Sequence, residues 1–152
     1  MTEHIRLIER KLQHLAKLRL YLAYSLAQTQ PLMPIQSWTG LTPENHETLA
    51  AFRVRFSEYQ EHLGKAMRAI AIEEEQKTEP YTAVLLYMEK LGIIDKAERW
   101  KELRELRNAI NHEYEENTDR LTQFFDELAK ASPQLFSWHD RLIGFCNENY
   151  GI

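Results

Sequence analysis

The sequence predicts an all-α protein, folded as an up-and-down bundle of five to six helices. Apolar residues recur at spacings of three and four along most of the chain, which is the period of a helix with one buried face. No stretch of useful length alternates apolar and polar residues as a strand does. Five glycines and five prolines in 152 residues are too few for a chain rich in hairpins. Because this length suits one compact core, we assign residues 1–152 to a single helical domain.

The first helix is predicted over residues 3–28, with Thr2 as its N-cap. Its apolar stripe consists of Ile5, Ile8, Leu12, Leu15, Leu18, Leu22 and Leu26. Two prolines and a glycine then mark residues 30–41 as a connection between helices.

The second helix is predicted to begin at Thr42 and Pro43, an N-cap followed by proline at the first helical position, and to continue to about Lys77. Its apolar stripe consists of Leu49, Phe52, Phe56, Tyr59, Leu63, Met67 and Ile70. Gly64 lies inside this helix, where glycine costs about 1 kcal/mol relative to alanine. Either a close helix crossing or simple tolerance would account for a glycine at this position.

Capping residues and prolines divide the second half of the chain into further, shorter helices. The predicted boundary residues are, in chain order, Thr78 with Pro80, Gly92, Asp95, Thr118 or Asp119, and Ser132 with Pro133. Each of the resulting segments again carries apolar residues at helical spacing.

The composition is typical of a globular protein, and the single cysteine fits a reducing compartment. The formal charge of −4 argues against a broad nucleic-acid-binding surface but is compatible with a local basic site. The single cysteine, Cys146, excludes an internal disulfide. No run of about eighteen apolar residues occurs, and the first residues lack the apolar core of a signal peptide. We therefore expect a cytoplasmic protein with no membrane contact.

One segment, LRNAINHEYEEN from position 106, is unusually crowded with polar side chains. Arg107, Asn111 and Tyr114 are spaced at i, i+4 and i+7 and fall on one line of a helix, with Asn108 and His112 on the neighbouring line. A solvated face normally mixes lysine and glutamate. Asparagine is a poor helix former, so local propensity is overridden here, as is typical of functional sites.

The residue types of this segment suit the cleavage of a phosphodiester. A histidine can transfer protons near neutral pH, and an arginine can bind a phosphate with two hydrogen bonds. In RNA the adjacent 2′-hydroxyl can be the nucleophile, so no metal is required, and no metal-ligand spacing is present. However, Arg107 and His112 lie about 140° apart on one ideal helix. On spacing alone a structural role is favoured, unless two copies of the helix face each other in a dimer.

The spacing Arg107, His112, Tyr114 reproduces the RxxxxHxY signature of HEPN-domain toxins. More narrowly, the chain resembles the HepT-like toxins that are encoded beside a minimal nucleotidyltransferase antitoxin. The context MEKLGIIDKAERWKELRELRNAINHEY is similar to the family's short helix followed by its motif helix, and FRVRFSEYQEHLGKAM is similar to its second helix. The resemblance covers roughly residues 50–130, and the first 45 residues match less well.

The resemblance implies a HEPN-like homodimer with the motif helices at the subunit interface. It implies a metal-independent endoribonuclease without a cofactor, the toxin of a type VII-like toxin–antitoxin system, in which Arg107 and His112 are the catalytic pair. Asn108 and Asn111 would support the pair or hold RNA. Tyr114 would line the cleft and be the residue to which the nucleotidyltransferase antitoxin attaches AMP.

Two other interpretations remain open at this point. The protein could be a non-catalytic nucleotide- or substrate-binding subunit that partners a separate nucleotidyltransferase. It could also be a helical scaffold whose polar segment is an ordinary interface. A basic rim beside the motif is conceivable, although solvated or ion-paired side chains are the simpler explanation of its members, which are Arg53, Arg55, Lys65 and Arg68.

Overall fold

A computed structural model describes residues 2–113 and 117–152, and of residues 110–113 the backbone alone. These residues form five α-helices, which confirms the all-α prediction, and they contain no strand. None of these helices is both long and apolar enough to cross a membrane. The helices are α1 (Glu3–Thr29), α2 (Pro43–Glu73), α3 (Tyr81–Lys90), α4 (Ala97–Glu113) and α5 (Thr118–Tyr150), with a single 3₁₀ turn at Gln30–Leu32.

The predicted helix ends are largely confirmed by the caps. Thr2 accepts a hydrogen bond from the Ile5 amide, and Thr42 forms a reciprocal capping box with Asn45. Gly92, at φ +77°, follows α3 in the left-handed conformation that glycine adopts without strain.

Three predicted boundaries are wrong, and the first two concern the end of α2 and the start of α4. The helix α2 ends at Glu73 rather than near Lys77, because the chain turns into a left-handed conformation at Glu75 (φ 58°). Asp95 does not cap α4, which begins at Ala97. The Asp95 carboxylate instead accepts hydrogen bonds from the side chains of α5 residues Trp138 (3.1 Å) and Arg141 (2.7 Å).

The helix α5 runs without a break through Pro133, so the two helices predicted after Thr118 are one. Proline inside a helix removes a backbone hydrogen bond and costs about 3 kcal/mol. The cost is offset by burial, because α5 carries one apolar face across the proline and into the core. Ser132 donates its hydroxyl to the Leu128 carbonyl within the same stretch.

The core lies where α2 and α5 pack against the other helices. Its largest fully buried side chains include Trp138, Tyr59, Phe52, Phe56 and Phe125. The rings of Trp138 and Trp100 lie 6.0 Å apart, which ties α5 to α4. Trp100, Trp138 and Cys146 are all buried in this core.

Gly64 marks a close approach of three helices, which decides between the two explanations of this residue. A Cβ at this position would lie 3.0 Å from Tyr81 Oη on α3 and 3.1 Å from the Trp100 ring on α4. Tyr81 Oη also donates a hydrogen bond to the Gly64 carbonyl at 2.7 Å. Neither side chain can easily move away, because Trp100 is buried against Trp138 and the Tyr81 hydroxyl is hydrogen-bonded to the Gly64 carbonyl.

Gly64→Ala is therefore expected to destabilise the protein although alanine favours helices. Overpacking costs about 1–3 kcal/mol, against a helix-propensity gain of about 1 kcal/mol. Gly144→Ala in α5 is the matched control, because a Cβ there meets nothing within 4 Å, and it should stabilise the fold. Urea unfolding midpoints compare the two variants. A stabilising effect of both substitutions would contradict the close approach at Gly64.

Candidate functional site

Residues 106–113 of the motif segment form the second half of α4, which packs antiparallel to α2. Near the start of α4, Trp100 lies against Gly64 of α2, and further along, Arg107 lies against Ser57 of α2. The N-terminal end of α4 is held by the Glu89 carboxylate, which accepts a hydrogen bond from the Ala97 amide. The beginning of α4 is thus fixed by α2 and α3, and the motif residues from Arg107 onward lie in its last turns, which end at Glu113.

Arg107 is half-buried between α4 and α2. Its Nη1 donates a long hydrogen bond of 3.5 Å to the Ser57 carbonyl. Burial lowers the pKa of Arg107 from its usual value, and the nearby Glu61 carboxylate opposes this effect while Arg104 adds to it. An arginine remains charged under all ordinary conditions and has five N–H donors, most of which the described residues leave unused. The guanidinium is therefore available to bind an anion.

The other predicted site residues are described less fully. Asn108 is exposed beside Arg107. For Asn111 and His112 only the helical backbone is described, and Tyr114 lies outside the described residues. The backbone is enough to place the positions of Arg107 and His112 on one continuous helix, about 140° apart around its axis and about 7.5 Å apart along it. The roles of Asn111, His112 and Tyr114 remain predictions.

Arg107 also lines a cleft of about 210 Å³ between α2, α3 and α4. The cationic side chains around it are Lys65, Arg68, Arg104 and Arg107, and Glu61 is the carboxylate among its lining residues. Such a concentration of positive charge is notable in a chain of formal charge −4. The arrangement favours an anionic ligand.

The basic rim considered from the sequence overlaps the cations of this cleft only in part. Lys65 and Arg68, considered only as a possible rim, do line the cleft. Arg55 does not, because it pairs with Glu58 at 3.2 Å and stacks over Tyr21 on the α1 side. Arg104 was overlooked, although its position three residues before Arg107 places both on one helix face.

A second polar cluster joins α1, α2 and α5; Tyr59 and His139 in it are buried, whereas Arg19 is half-buried and Asp140 is exposed. The His139 ring is 1% exposed, and its Nδ1 lies 2.7 Å from Tyr59 Oη and 3.5 Å from Arg19 Nη1. Arg19 also donates to the Asp140 carboxylate at 2.6 Å. Burial lowers the pKa of His139 to about 4, so the ring is neutral at pH 7. His139 is therefore a buried packing residue.

Comparison with known proteins assigns no family to this chain. It matches no family model, and it has no significant match among curated proteins or solved structures. Arg107 is half-buried, has donors that the described residues leave unused and lies among further cations, so it is suited to hold a phosphate.

Proposed function

We propose that the protein is a HEPN-type endoribonuclease, a homodimeric toxin that cleaves RNA without a metal and is neutralised by a nucleotidyltransferase. The observation that carries this proposal is Arg107 itself. It is held between two helices, the described residues leave most of its donors unused, and it lies on the same continuous helix as the position of His112. The RxxxxHxY spacing adds the proton-transferring group and the tyrosine that this chemistry and its regulation require.

The proposed reaction uses the 2′-hydroxyl of the RNA as nucleophile. Its oxygen attacks the adjacent phosphorus while the bond from phosphorus to the 5′-oxygen breaks. The products are a 2′,3′-cyclic phosphate and a free 5′-hydroxyl. His112 accepts the proton of the attacking oxygen or supplies one to the leaving oxygen, and Arg107 stabilises the charge that develops on the phosphate oxygens.

A second copy of the chain is needed to bring these two groups together. Positions about 140° apart on one helix diverge, whereas two facing copies of α4 can place Arg107 of one chain beside His112 of the other.

Growth and RNA cleavage assays test the proposal together. Expression of the wild-type chain should arrest growth, and the purified dimer should cut RNA in the presence of a metal chelator. A harmless protein that leaves RNA intact would favour the alternative, a non-catalytic subunit of a separate nucleotidyltransferase.

The regulatory part of the proposal predicts a modified Tyr114. When the chain is co-expressed with its nucleotidyltransferase, intact-mass analysis should show an added AMP, absent in Tyr114→Phe. The modification would neutralise the toxin by placing negative charge and bulk at the phosphate site beside Arg107. If the toxin is neutralised while Tyr114 stays unmodified, this part of the proposal is wrong.

A further inference from the structure

The cleft beside Arg107 contains a buried amide that nothing in the described part of the chain satisfies. Gln60 on α2 lines the cleft and is 1% exposed, yet neither Nε2 nor Oε1 of its side chain has a hydrogen-bond partner among the described residues. An unpaired buried amide is destabilising, so its presence needs an explanation. A polar ligand in the cleft would supply the missing partner.

The wall of the cleft is rigid. Tyr81 and Trp100 pack against the bare backbone of Gly64, and the Tyr81 hydroxyl is fixed by its hydrogen bond to the Gly64 carbonyl. Trp100 is 3% exposed. The Trp100 ring therefore offers no open face on which a base could stack, which favours a compact polar group over a nucleobase in the cleft.

The cations around the cleft are available to a ligand. Arg104 is exposed, and no described carboxylate lies at ion-pair distance from it. Lys65 pairs with Glu61 at 3.7 Å and Arg68 with Glu79 at 2.9 Å, but both pairs are exposed. Exposed ion pairs are weak and salt-sensitive, so a phosphate group can compete with the two carboxylates for these cations.

We propose that this cleft binds a phosphodiester of the RNA strand, next to the one that is cleaved. The proposal rests on the ribonuclease function proposed above. Arg104 and Arg107, one helical turn apart on α4, contact consecutive parts of the backbone, and the Gln60 amide donates to a phosphate or sugar oxygen. The cleft therefore positions the strand without reading its sequence.

The size of the cleft favours a strand over a free nucleotide. Pockets for complete small-molecule ligands usually enclose about 300–1,000 Å³. The cleft holds about 210 Å³, enough for one group of a longer molecule. Arg107 lines the cleft and also belongs to the proposed reaction site, so one RNA strand could pass from the cleft to that site.

Fluorescence anisotropy with a labelled 2′-O-methyl RNA oligonucleotide tests this proposal, because the oligonucleotide has no free 2′-hydroxyl and cannot be cleaved. Arg104→Ala should weaken binding about tenfold and reduce the slope of log Kobs against log salt concentration by about 0.7, as for the loss of one phosphate contact. Gln60→Leu should weaken binding while leaving the protein at least as stable in urea. Arg6→Ala, at an exposed arginine near the start of α1, is the matched control and should bind like the wild type.

The outcomes separate this proposal from the ribonuclease function. Wild-type affinity and salt slope in both cleft variants would overturn the cleft proposal, even if the wild type cuts RNA. Arg104-dependent binding by a protein that never cuts RNA would support the cleft and overturn the ribonuclease function. Adding AMP or inorganic phosphate as a competitor of the labelled oligonucleotide shows whether the cleft prefers a strand or a free phosphate compound. If either competes from the cleft as strongly as unlabelled oligonucleotide, the ligand is a free phosphate compound, and the assignment to a strand is wrong.

Discussion

Arg107→Ala is expected to lower the rate of RNA cleavage by about 10²–10³-fold, the usual effect of removing one group that stabilises transition-state charge. The loss should appear in kcat, because the charge on the phosphate oxygens grows as the reaction proceeds. Stability should change little, since the guanidinium is only half-buried and makes one long hydrogen bond to the Ser57 carbonyl. Single-turnover cleavage and urea unfolding measure the two effects separately.

Two further variants sharpen this prediction. Arg107→Lys should restore only part of the activity, because a lysine keeps the charge but cannot form two parallel hydrogen bonds to a phosphate. Lys101→Ala removes a cation from the same helix, where Lys101 pairs with Glu98 outside the cleft, and it should cleave RNA normally. Equal activity of Arg107→Ala and the wild type would remove Arg107 from the catalytic pair.

The second large effect concerns acid stability. The free energy of unfolding is expected to fall by about 3 kcal/mol in total as the pH is lowered from 6.5 through 4, because His139 is buried as a neutral ring. The pKa of His139 is lowered from 6.5 to about 4 by burial, with a smaller repulsion from Arg19 and an opposing attraction from Asp140. Between these two pH values the unfolded chain binds a proton that the folded chain does not, so acid favours unfolding. Above pH 6.5 the neutral ring causes no such loss.

The contribution of His139 can be isolated with His139→Gln, which cannot titrate. Urea unfolding at several pH values between 7.5 and 4 should show a shallower loss of stability for the variant than for the wild type. The comparison is needed because burial also lowers the pKa of His62, which acts with the same sign. Asp95 and Asp140, whose pKa values are lowered mainly by hydrogen bonds to Arg141 and Arg19 respectively, destabilise the fold only below about pH 3.8. Identical pH dependence of variant and wild type would contradict the buried, neutral His139.

The helices were predictable because their signals are local. Thr2 and Thr42 cap their helices through side chains that contact the backbone only three residues away. Pro133 misled the prediction, since a local breaker was overridden by the burial of the α5 face on both sides of it. The energy that decides this case comes from distant helices, and no window of sequence contains it.

The part of the candidate site that lies on α4 could be predicted from the sequence, whereas the cleft formed with α2 and α3 could not. The motif spacing identified Arg107, and α4 does continue through the position of His112. The cleft depends on the close approach of Gly64, Tyr81 and Trp100, which belong to three different helices. Gln60 could not be identified from the sequence, because a buried amide that the described residues leave without a partner is recognised only when its surroundings are known.

The central claim is that Arg107 and His112 act across a dimer, and a mixed-dimer experiment tests it most directly. Arg107→Ala and His112→Ala chains, each inactive alone, are unfolded together, refolded and assayed for RNA cleavage, with two affinity tags to confirm that mixed dimers have formed. If each reaction site combines Arg107 of one chain with His112 of the other, every mixed dimer regains one intact site, and random pairing should restore about a quarter of the wild-type rate. If mixed dimers form and remain inactive, the two residues do not act across the interface, and the account is contradicted.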